Sequence, residues 1–442
     1  MGMEGLRTAA YFTLGCKLNF AETSTIGKIL ASRGIVRCQR GETPDICVVN
    51  TCSVTQMADK KGRSLIRRIV GRYPEATIVV TGCYAQLKPE EVASIPGVDI
   101  VLGSDEKLRI EEFLDRWLEE RRCTTAVTPM KEIREFRHSC ERGDRTRWFL
   151  KVQDGCDYFC TYCTIPFARG RSRSPGVAEL VEQARRVADA GGREIVLTGV
   201  NIGDFGKGSG ESFFSLIRAL DTVEGISRFR ISSIEPNLLT PDIIRWVARE
   251  SRAFMPHFHI PLQSGSDEVL RLMRRRYDTS LFADRIHMVR EEIPDAFIGV
   301  DVIAGARGET TQRWMEAVRF IEELPVSRLH VFPYSERPGT AALSLEGEVS
   351  VHERHQRVAI LTELSERKLR AFMHNAKGTK QEVLWESPVR PGAPVHGFTR
   401  NYLRVVAPVD KDAVNTISNV IIEGFHPSEP ETLAAKPIDR LI

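Results

Sequence analysis

The chain has 442 residues, ten of them cysteine, and its 62 Lys and Arg outnumber its 59 Asp and Glu by three. That length implies about two to four domains, and no stretch reaches the ~18 uninterrupted apolar residues of a membrane span, so a cytosolic protein is expected. Cysteine this sparse excludes a disulfide-stapled secreted domain and makes thiols at motif spacing candidate metal ligands. The small basic excess permits a nucleic-acid partner without demanding one.

In the first hundred residues, strand-like runs at 8–14, 46–50 and 77–81 are each followed by a helical pattern, at 21–32, 58–73 and 89–94. A β-loop-α unit repeated three times predicts a parallel sheet with its ligand crevice beyond the carboxyl ends of the strands. Each strand runs into a thiol: Cys16, Cys52 and Cys83. One such Cys is ordinarily a small buried hydrophobe, but three at equivalent strand ends are better read as ligands of an iron-sulfur cluster with a free iron. On the helix at 58–73, Leu65, Ile66, Ile69 and Val70 form an apolar stripe, with Lys60, Lys61, Arg63, Arg67, Arg68 and Arg72 toward the outside. A solvated face is the ordinary reading of such a helix. Six cations against Asp59 nevertheless make Arg63, Arg67 and Arg68 candidate RNA contacts.

The next motif is Cys156-Asp-Tyr-Phe-Cys160-Thr-Tyr-Cys163, three thiols in one loop with no fourth Cys or His nearby. Iron-sulfur clusters normally take four thiolates, so three suit a cubane that leaves one iron open. A zinc knuckle is the alternative, yet structural zinc wants four ligands. Cys47 lies in an apolar run and is core packing; Cys38, Cys123 and Cys140 carry no pattern.

Strand-like runs at 148–152, 194–198, 229–232, 257–260, 297–303 and 329–332 alternate mostly with helical patterns such as 178–190 and 280–291. Six βα units predict an open partial barrel with its chemistry at the strands' carboxyl ends. After an amphipathic helix at 352–373, short alternating segments at 381–384, 395–399, 403–406 and 414–422 predict a small β-barrel. If one strand ran unbroken, Phe398, Arg400, Tyr402 and Arg404 would share a face suited to stacking on bases; a turn at 399–401 would scramble it. Arg169, Arg171 and Arg173, and the run Arg274 to Arg276, are placed to extend a basic path for RNA.

The Cys-x3-Cys-x2-Cys spacing resembles that of the radical S-adenosylmethionine (SAM) enzymes, in which the open iron is chelated by SAM. The loops Thr13-Leu14-Gly15-Cys16-Lys17-Leu18-Asn19, Asn50-Thr51-Cys52-Ser53-Val54-Thr55 and Thr81-Gly82-Cys83-Tyr84-Ala85-Gln86 resemble the signature loops of the methylthiotransferases. The likeness continues through residues 165–174 and 261–266 and covers essentially the whole chain. It implies an N-terminal α/β domain at 1–125 holding an auxiliary 4Fe-4S cluster on Cys16, Cys52 and Cys83. It also implies a radical SAM core at 142–375 with a second cluster on Cys156, Cys160 and Cys163, and an RNA-binding TRAM domain at 376–442. Asn201, Ser233, Glu235, Gln263 and Ser264, in loops leaving barrel strands, are the implied SAM contacts.

Lys17, Asn19 and Glu22 in the first loop, with Leu329-His330-Val331-Phe332-Pro333-Tyr334-Ser335, resemble the branch acting on carbon 2 of N6-threonylcarbamoyladenosine in tRNA, next to the anticodon. Branches acting on isopentenyladenosine or on a ribosomal-protein aspartate are the alternatives, and a non-catalytic iron-sulfur RNA-binding protein is an alternative of another class. The implied partners are tRNA and an external electron donor, with a sulfur donor as a further candidate. The chain departs from the family at Ala306-Arg307, where Phe-Pro is common. Arg307 is thereby a candidate partner for the substrate carboxylate.

Overall fold

The computed structural model describes residues 6–39, 41–142, 146–388 and 393–438; the outer limits of the expected first and last domains, residues 1 and 442, lie outside them. Six parallel strands form the first sheet: β1 (Thr8–Thr13), β2 (Val36–Arg37), β3 (Ile46–Thr51), β4 (Thr77–Gly82), β5 (Ile100–Leu102) and β6 (Thr124–Ala126), in the order β2-β1-β3-β4-β5-β6. β2, β5 and β6 are two or three residues long, too short to give the periodicity that marks the other three. Helix α1 (Lys17–Ser32) begins directly after Cys16, four residues earlier than its apolar pattern implies. The first turn mixes Lys17 and Asn19 with buried Leu18 and with Phe20, which packs on Phe149, so it lacks a plain apolar period. Helices α2 (Gln56–Arg72) and α3 (Cys83–Leu87) follow β3 and β4.

The middle of the chain forms β7 (Cys140–Glu141), β8 (Trp148–Lys151), β9 (Glu194–Thr198), β10 (Arg228–Ile231), β11 (His257–Gln263), β12 (Phe297–Ala304) and β13 (Arg328–Pro333). β8 to β10 and β11 to β13 are two parallel runs joined by bridges between Phe229 and Phe254 and between Ser233 and His259. Together they make the expected six-stranded open barrel, with β7 added antiparallel at its first edge. The opposite edge is β13, where Ser365 of the helix Val351–Asn375 both donates to the Leu329 carbonyl (2.8 Å) and accepts from its N–H (3.0 Å). An edge covered in this way offers no template for further strand pairing.

Alternation along these strands sorts the residues by face. Ile195, Leu197, Phe229, Ile231, Phe258, Ile260, Ile298 and Val300 pack outward against the helices in the main core. Their neighbours turn inward, so His257, His259, Asp301 and His330 line the lumen, and Arg230 and Glu194 form a buried pair on the same side.

The last strands, β14 (Lys380–Trp385), β15 (His396–Thr399), β16 (Arg404–Val406), β17 (Ile417–Phe425) and β18 (Leu433–Pro437), close into a barrel in the order β14-β15-β16-β18-β17. β18 lies beyond the segments legible in the sequence. The barrel is fastened across the base of the lumen. Arg228 donates to the carbonyls of Phe398 (2.8 Å) and Glu382 (3.0 Å), and Arg230 to those of Arg400 (2.7 Å) and Thr399 (2.9 Å).

The first sheet docks on the open barrel through buried ions. Glu22, wholly buried in α1, accepts from Lys107 (2.6 Å), Lys151 (3.2 Å) and both terminal nitrogens of Arg169 (3.0 Å each). Asp154 offsets part of the excess positive charge through Lys151 (2.6 Å) and Arg169 (3.1 Å), and also pairs with Arg173 (3.2 Å). Burial would raise the Glu22 carboxyl, but Arg169, Lys107 and Lys151 outweigh it and hold the group far below the usual carboxylate range. Removing one member of such a set leaves buried cations uncompensated. Glu22→Gln is therefore expected to cost ~3–5 kcal/mol in chemical denaturation at neutral pH. The depressed pKa fixes the pH dependence: the Glu22 contribution is complete above the unfolded carboxyl's pKa of ~4.3 and shrinks as pH falls below it. The gap between wild type and variant should close only in strong acid.

Candidate active site

Cys16, Cys52 and Cys83 sit just past the carboxyl ends of β1, β3 and β4, which are neighbours in the sheet, as the sequence predicts. Two glycines let their loops converge. Gly15 (φ +102°) lies so close to Cys52 that a methyl there would fall 2.8 Å from its Cβ and 3.1 Å from its Sγ. Gly82 (φ +97°) would collide with the Thr51 carbonyl at 2.3 Å. Both positions need a residue without Cβ. Asn19 fastens the first loop by donating to the carbonyls of Leu14 (2.9 Å) and Thr51 (3.0 Å), while its own oxygen accepts from Arg169 (2.7 Å). Burial pushes the Cys52 thiol up to about 12, with neighbouring Cys83 adding to the shift. Burial also raises Cys83, against the opposing charge of Arg169.

The second thiol loop leaves β8 and is zipped at its base by a bridge pairing Asp154 with Arg173. Gly155 (φ +72°) approaches the Arg171 carbonyl so closely that a Cβ would lie 2.0 Å from it. Arg275 places Nη1 3.1 Å from Cys160 Sγ, its other arm paired with Glu235 and its Nε donating to the Tyr277 hydroxyl (3.0 Å). Burial lifts Cys156 and Cys163 to about 12, and raises Cys160 against the pull of Arg275.

Gln153, which carries no sequence signal beyond adjoining the motif, ties this loop to the next. Its amide nitrogen donates to the Gly155 carbonyl (2.7 Å) and its oxygen accepts from the N–H groups of Val200 (3.0 Å) and Asn201 (2.8 Å). Asn201 is buried with both side-chain amide atoms unpartnered, an arrangement that calls for a polar ligand atom. Ser266 Oγ is likewise buried and unpartnered, two residues beyond Ser264, whose own Oγ accepts from the Ser266 N–H (3.3 Å). Gln263, at the end of the β11 bulge, holds φ +67°, a strained setting that clusters at ligand sites. Ser233 faces the lumen.

That lumen is a cavity of about 750 Å³ reaching from Cys16 and Lys17 past Thr198, Ser233, His259, Asp301 and His330 to Phe398, Tyr402 and Arg404. A chamber of this size suits a modified nucleoside. His259 Nε2 lies 2.7 Å from Asp301 Oδ1. Burial and neighbouring His259 lower His330 to about 4, and burial holds His257 well below the imidazole range, so both are neutral at pH 7. Lys17 is accessible from the lumen yet ringed by protein, and this desolvation lowers its ammonium.

Several expected contacts lie elsewhere. Arg307 is taken by Glu336 (2.9 Å), Glu348 (3.3 Å) and the Leu345 carbonyl (3.1 Å), outside the lumen, so it is not placed to meet a substrate carboxylate. Arg63 donates to Tyr84 (3.2 Å) and Glu91 (2.8 Å), leaving Arg67 and Arg68 as exposed cations of α2. Arg169, Arg173 and Arg275 hold the thiol loops in place rather than lining an RNA path; Arg171 and Arg276 stay at the surface. The chain turns between β15 and β16, so no unbroken face joins Phe398, Arg400, Tyr402 and Arg404. Phe398 stacks on Tyr402 (4.8 Å) toward the lumen, while Arg400 is exposed.

Comparison with known proteins accords with this geometry. Residues 8–103 match the uncharacterized protein family UPF0004, and residues 150–321 match the radical SAM superfamily. The threonylcarbamoyladenosine tRNA methylthiotransferase MtaB of Bacillus subtilis is 39% identical over 94% of both chains. The chain belongs to the radical SAM methylthiotransferases. A second member, the tRNA-2-methylthio-N(6)-dimethylallyladenosine synthase of Thermobifida fusca, is 34% identical over 86% of this chain and 78% of its own. Among solved structures, the radical SAM methyltransferase TsrM of Kitasatospora setae shares the fold, with a TM-score of 0.55 at 14% identity over 74% of this chain and 72% of that one. Among the described residues no helix is long and apolar enough to cross a membrane.

Methylthiotransferase loops that depend on glycine are open to a direct test. Gly155→Ala should displace the loop bearing Cys156, Cys160 and Cys163, speeding their alkylation by iodoacetamide in metal-free protein while Cys83 reacts as in wild type. Unchanged alkylation rates would show that the loop tolerates a side chain there.

Proposed function

We propose that the chain transfers a methylthio group to carbon 2 of N6-threonylcarbamoyladenosine in tRNA. The observation that carries this reading is the lumen reaching inward from Cys16, where Lys17, Arg328 and Arg404 stand among the lining residues and offer a carboxylate-bearing base substituent cations that an isopentenyl chain could not use. Relatives named for that activity, at 34–39% identity over most of the chain, support it.

Cys16, Cys52 and Cys83 would hold one 4Fe-4S cluster, and Cys156, Cys160 and Cys163 the other. Both donor sets fit: each supplies three convergent thiols and one nearby guanidinium, Arg169 or Arg275, that favours thiolate. The orphaned amide of Asn201 and hydroxyl of Ser266, with Ser233, Gln263 and Ser264 beside them, fit the polar groups of SAM. Glu235 serves indirectly, by holding Arg275 against Cys160. Clusters and SAM together supply the one-electron chemistry that carbon 2 requires, because its hydrogen is neither acidic nor a leaving group.

This chain's own residues do the positioning. The Glu22 and Asp154 ions fix the thiol loops against each other, Gln153 couples the second loop to the Asn201 turn, and the lumen encloses a base swung out of its RNA. The Phe398–Tyr402 stack offers an aromatic wall at its base. Exposed Arg67 and Arg68 are the proposed phosphate contacts. An electron donor is required from outside, and a sulfur donor is a candidate further partner.

Nucleoside mass spectrometry of tRNA from cells lacking the chain tests the activity: the methylthio derivative should vanish and threonylcarbamoyladenosine accumulate. Unchanged tRNA would overturn the reading. The two thiol sets should separate in reconstituted protein. Replacing Cys156, Cys160 and Cys163 by Ala should abolish 5′-deoxyadenosine formation. Replacing Cys16, Cys52 and Cys83 should lower iron by about one cluster's worth and abolish product, yet leave SAM cleavage intact. Arg67→Gln with Arg68→Gln should flatten the salt dependence of tRNA binding by roughly 0.7–0.9 slope units per lost contact.

A further inference from the structure

Most charges in the lumen already have partners. Arg230 is held by Glu194 (2.8 Å) and two backbone carbonyls, Arg147 by Glu386 (2.5 Å) and the Tyr402 hydroxyl (2.8 Å), and Arg328 by both oxygens of Glu431 (2.8 Å each). Asp301 is engaged with His259. Lys17 is different. It opens α1 beside Cys16 and lines the lumen, and among the described residues no hydrogen bond or ion pair holds its ammonium. Its ammonium opens onto the lumen and has no protein partner to give up, so an arriving carboxylate can pair with it directly.

From this we infer that Lys17 pairs with the carboxylate of the substrate's threonyl group and so sets the choice among N6-modified adenosines. The inference rests on the substrate reading above and deepens it; the cation that Arg307 does not supply comes from the N-terminal sheet instead. His259, Asp301 and His330 approach within 4.8 Å of one another, as a metal triad would. Lys17 lines the same lumen, however, and its unpaired charge repels a divalent cation while attracting an anion. An isopentenyl group offers Lys17 nothing. A threonylcarbamoyl group ends in the charge that it lacks.

The test crosses enzyme variant with substrate variant. Reconstituted wild type and Lys17→Met are given an anticodon stem-loop RNA bearing threonylcarbamoyladenosine, or the same RNA with the threonyl carboxylate as its methyl ester. Dissociation constant, Michaelis constant and kcat are measured for each pair. In wild type the ester should raise the dissociation and Michaelis constants about 10- to 100-fold, the loss of one charge-assisted bond. Lys17→Met should bind acid and ester alike, and Lys17→Arg should recover part of the preference. Iron content and SAM cleavage should match wild type in both variants; if the Met variant loads poorly, Lys17→Gln takes its place. The same discrimination in wild type and Lys17→Met, or none in wild type, overturns the assignment. Loss of iron from every uncharged variant, with acid still preferred over ester, would mean that Lys17 neutralises the cluster on its neighbour Cys16, and also overturns it. Failure of wild type to modify either RNA, with turnover of an isopentenyladenosine stem-loop, would sink the substrate reading itself; wild-type turnover of the acid with no role for Lys17 would sink only this inference.

Discussion

The buried ionic knot around Glu22 is the constraint on which the rest depends. It lies between two sheets and holds one carboxylate of the N-terminal part against Arg169 and Lys151 of the barrel part, with Lys107 and Asp154 completing the set. Arg169 ends the short helix that follows Cys163, and Asp154 stands two residues before Cys156. Asn19, three residues after Cys16, is bonded to the same guanidinium. Both thiol sets are therefore tied to one rigid object of fixed geometry. An apolar interface of equal area would have allowed sliding; a charge set satisfied in only one arrangement does not.

The mixed lining of the lumen follows from how the barrel is closed. A complete barrel fills its interior with branched aliphatic layers, whereas this one stops at six strands and takes its remaining wall from two other parts of the chain. Residues on the inner face must meet an N-terminal loop and a C-terminal turn, so among Phe297 and Phe332 stand charged and imidazole groups such as Asp301, His259 and His330. Their neutralisation is local and nearly complete, which allows one unpartnered ammonium to matter.

Much of this was legible in the residues. The three strands ending in thiols, the six βα units and the small terminal barrel emerge from periodicity and spacing, because long strands and amphipathic helices repeat faithfully. Two- and three-residue strands such as β2 and β5 carry no such signal. The lumen was within reach: His257-Phe258-His259-Ile260, Gly299-Val300-Asp301-Val302 and Leu329-His330-Val331 alternate apolar with polar, which in a strand means two faces with different surroundings. Charged side chains were the least legible. Arg63, Arg169, Arg173, Arg275 and Arg307 look alike in sequence, and only their partners in space separate a surface cation from a structural one.

The fastening of the C-terminal barrel has an evolutionary consequence. Two arginines on β10 donate to four carbonyls of that barrel, and its Phe398–Tyr402 turn is the floor of the lumen. A terminal module joined by a loose tether can be exchanged for another with little effect on the rest of the molecule. This one cannot be treated as a cassette: any replacement would have to present carbonyls and an aromatic pair at the same places, or leave Arg228 and Arg230 facing water inside the chamber. The terminal barrel and the lumen are bound to diverge together in this chain.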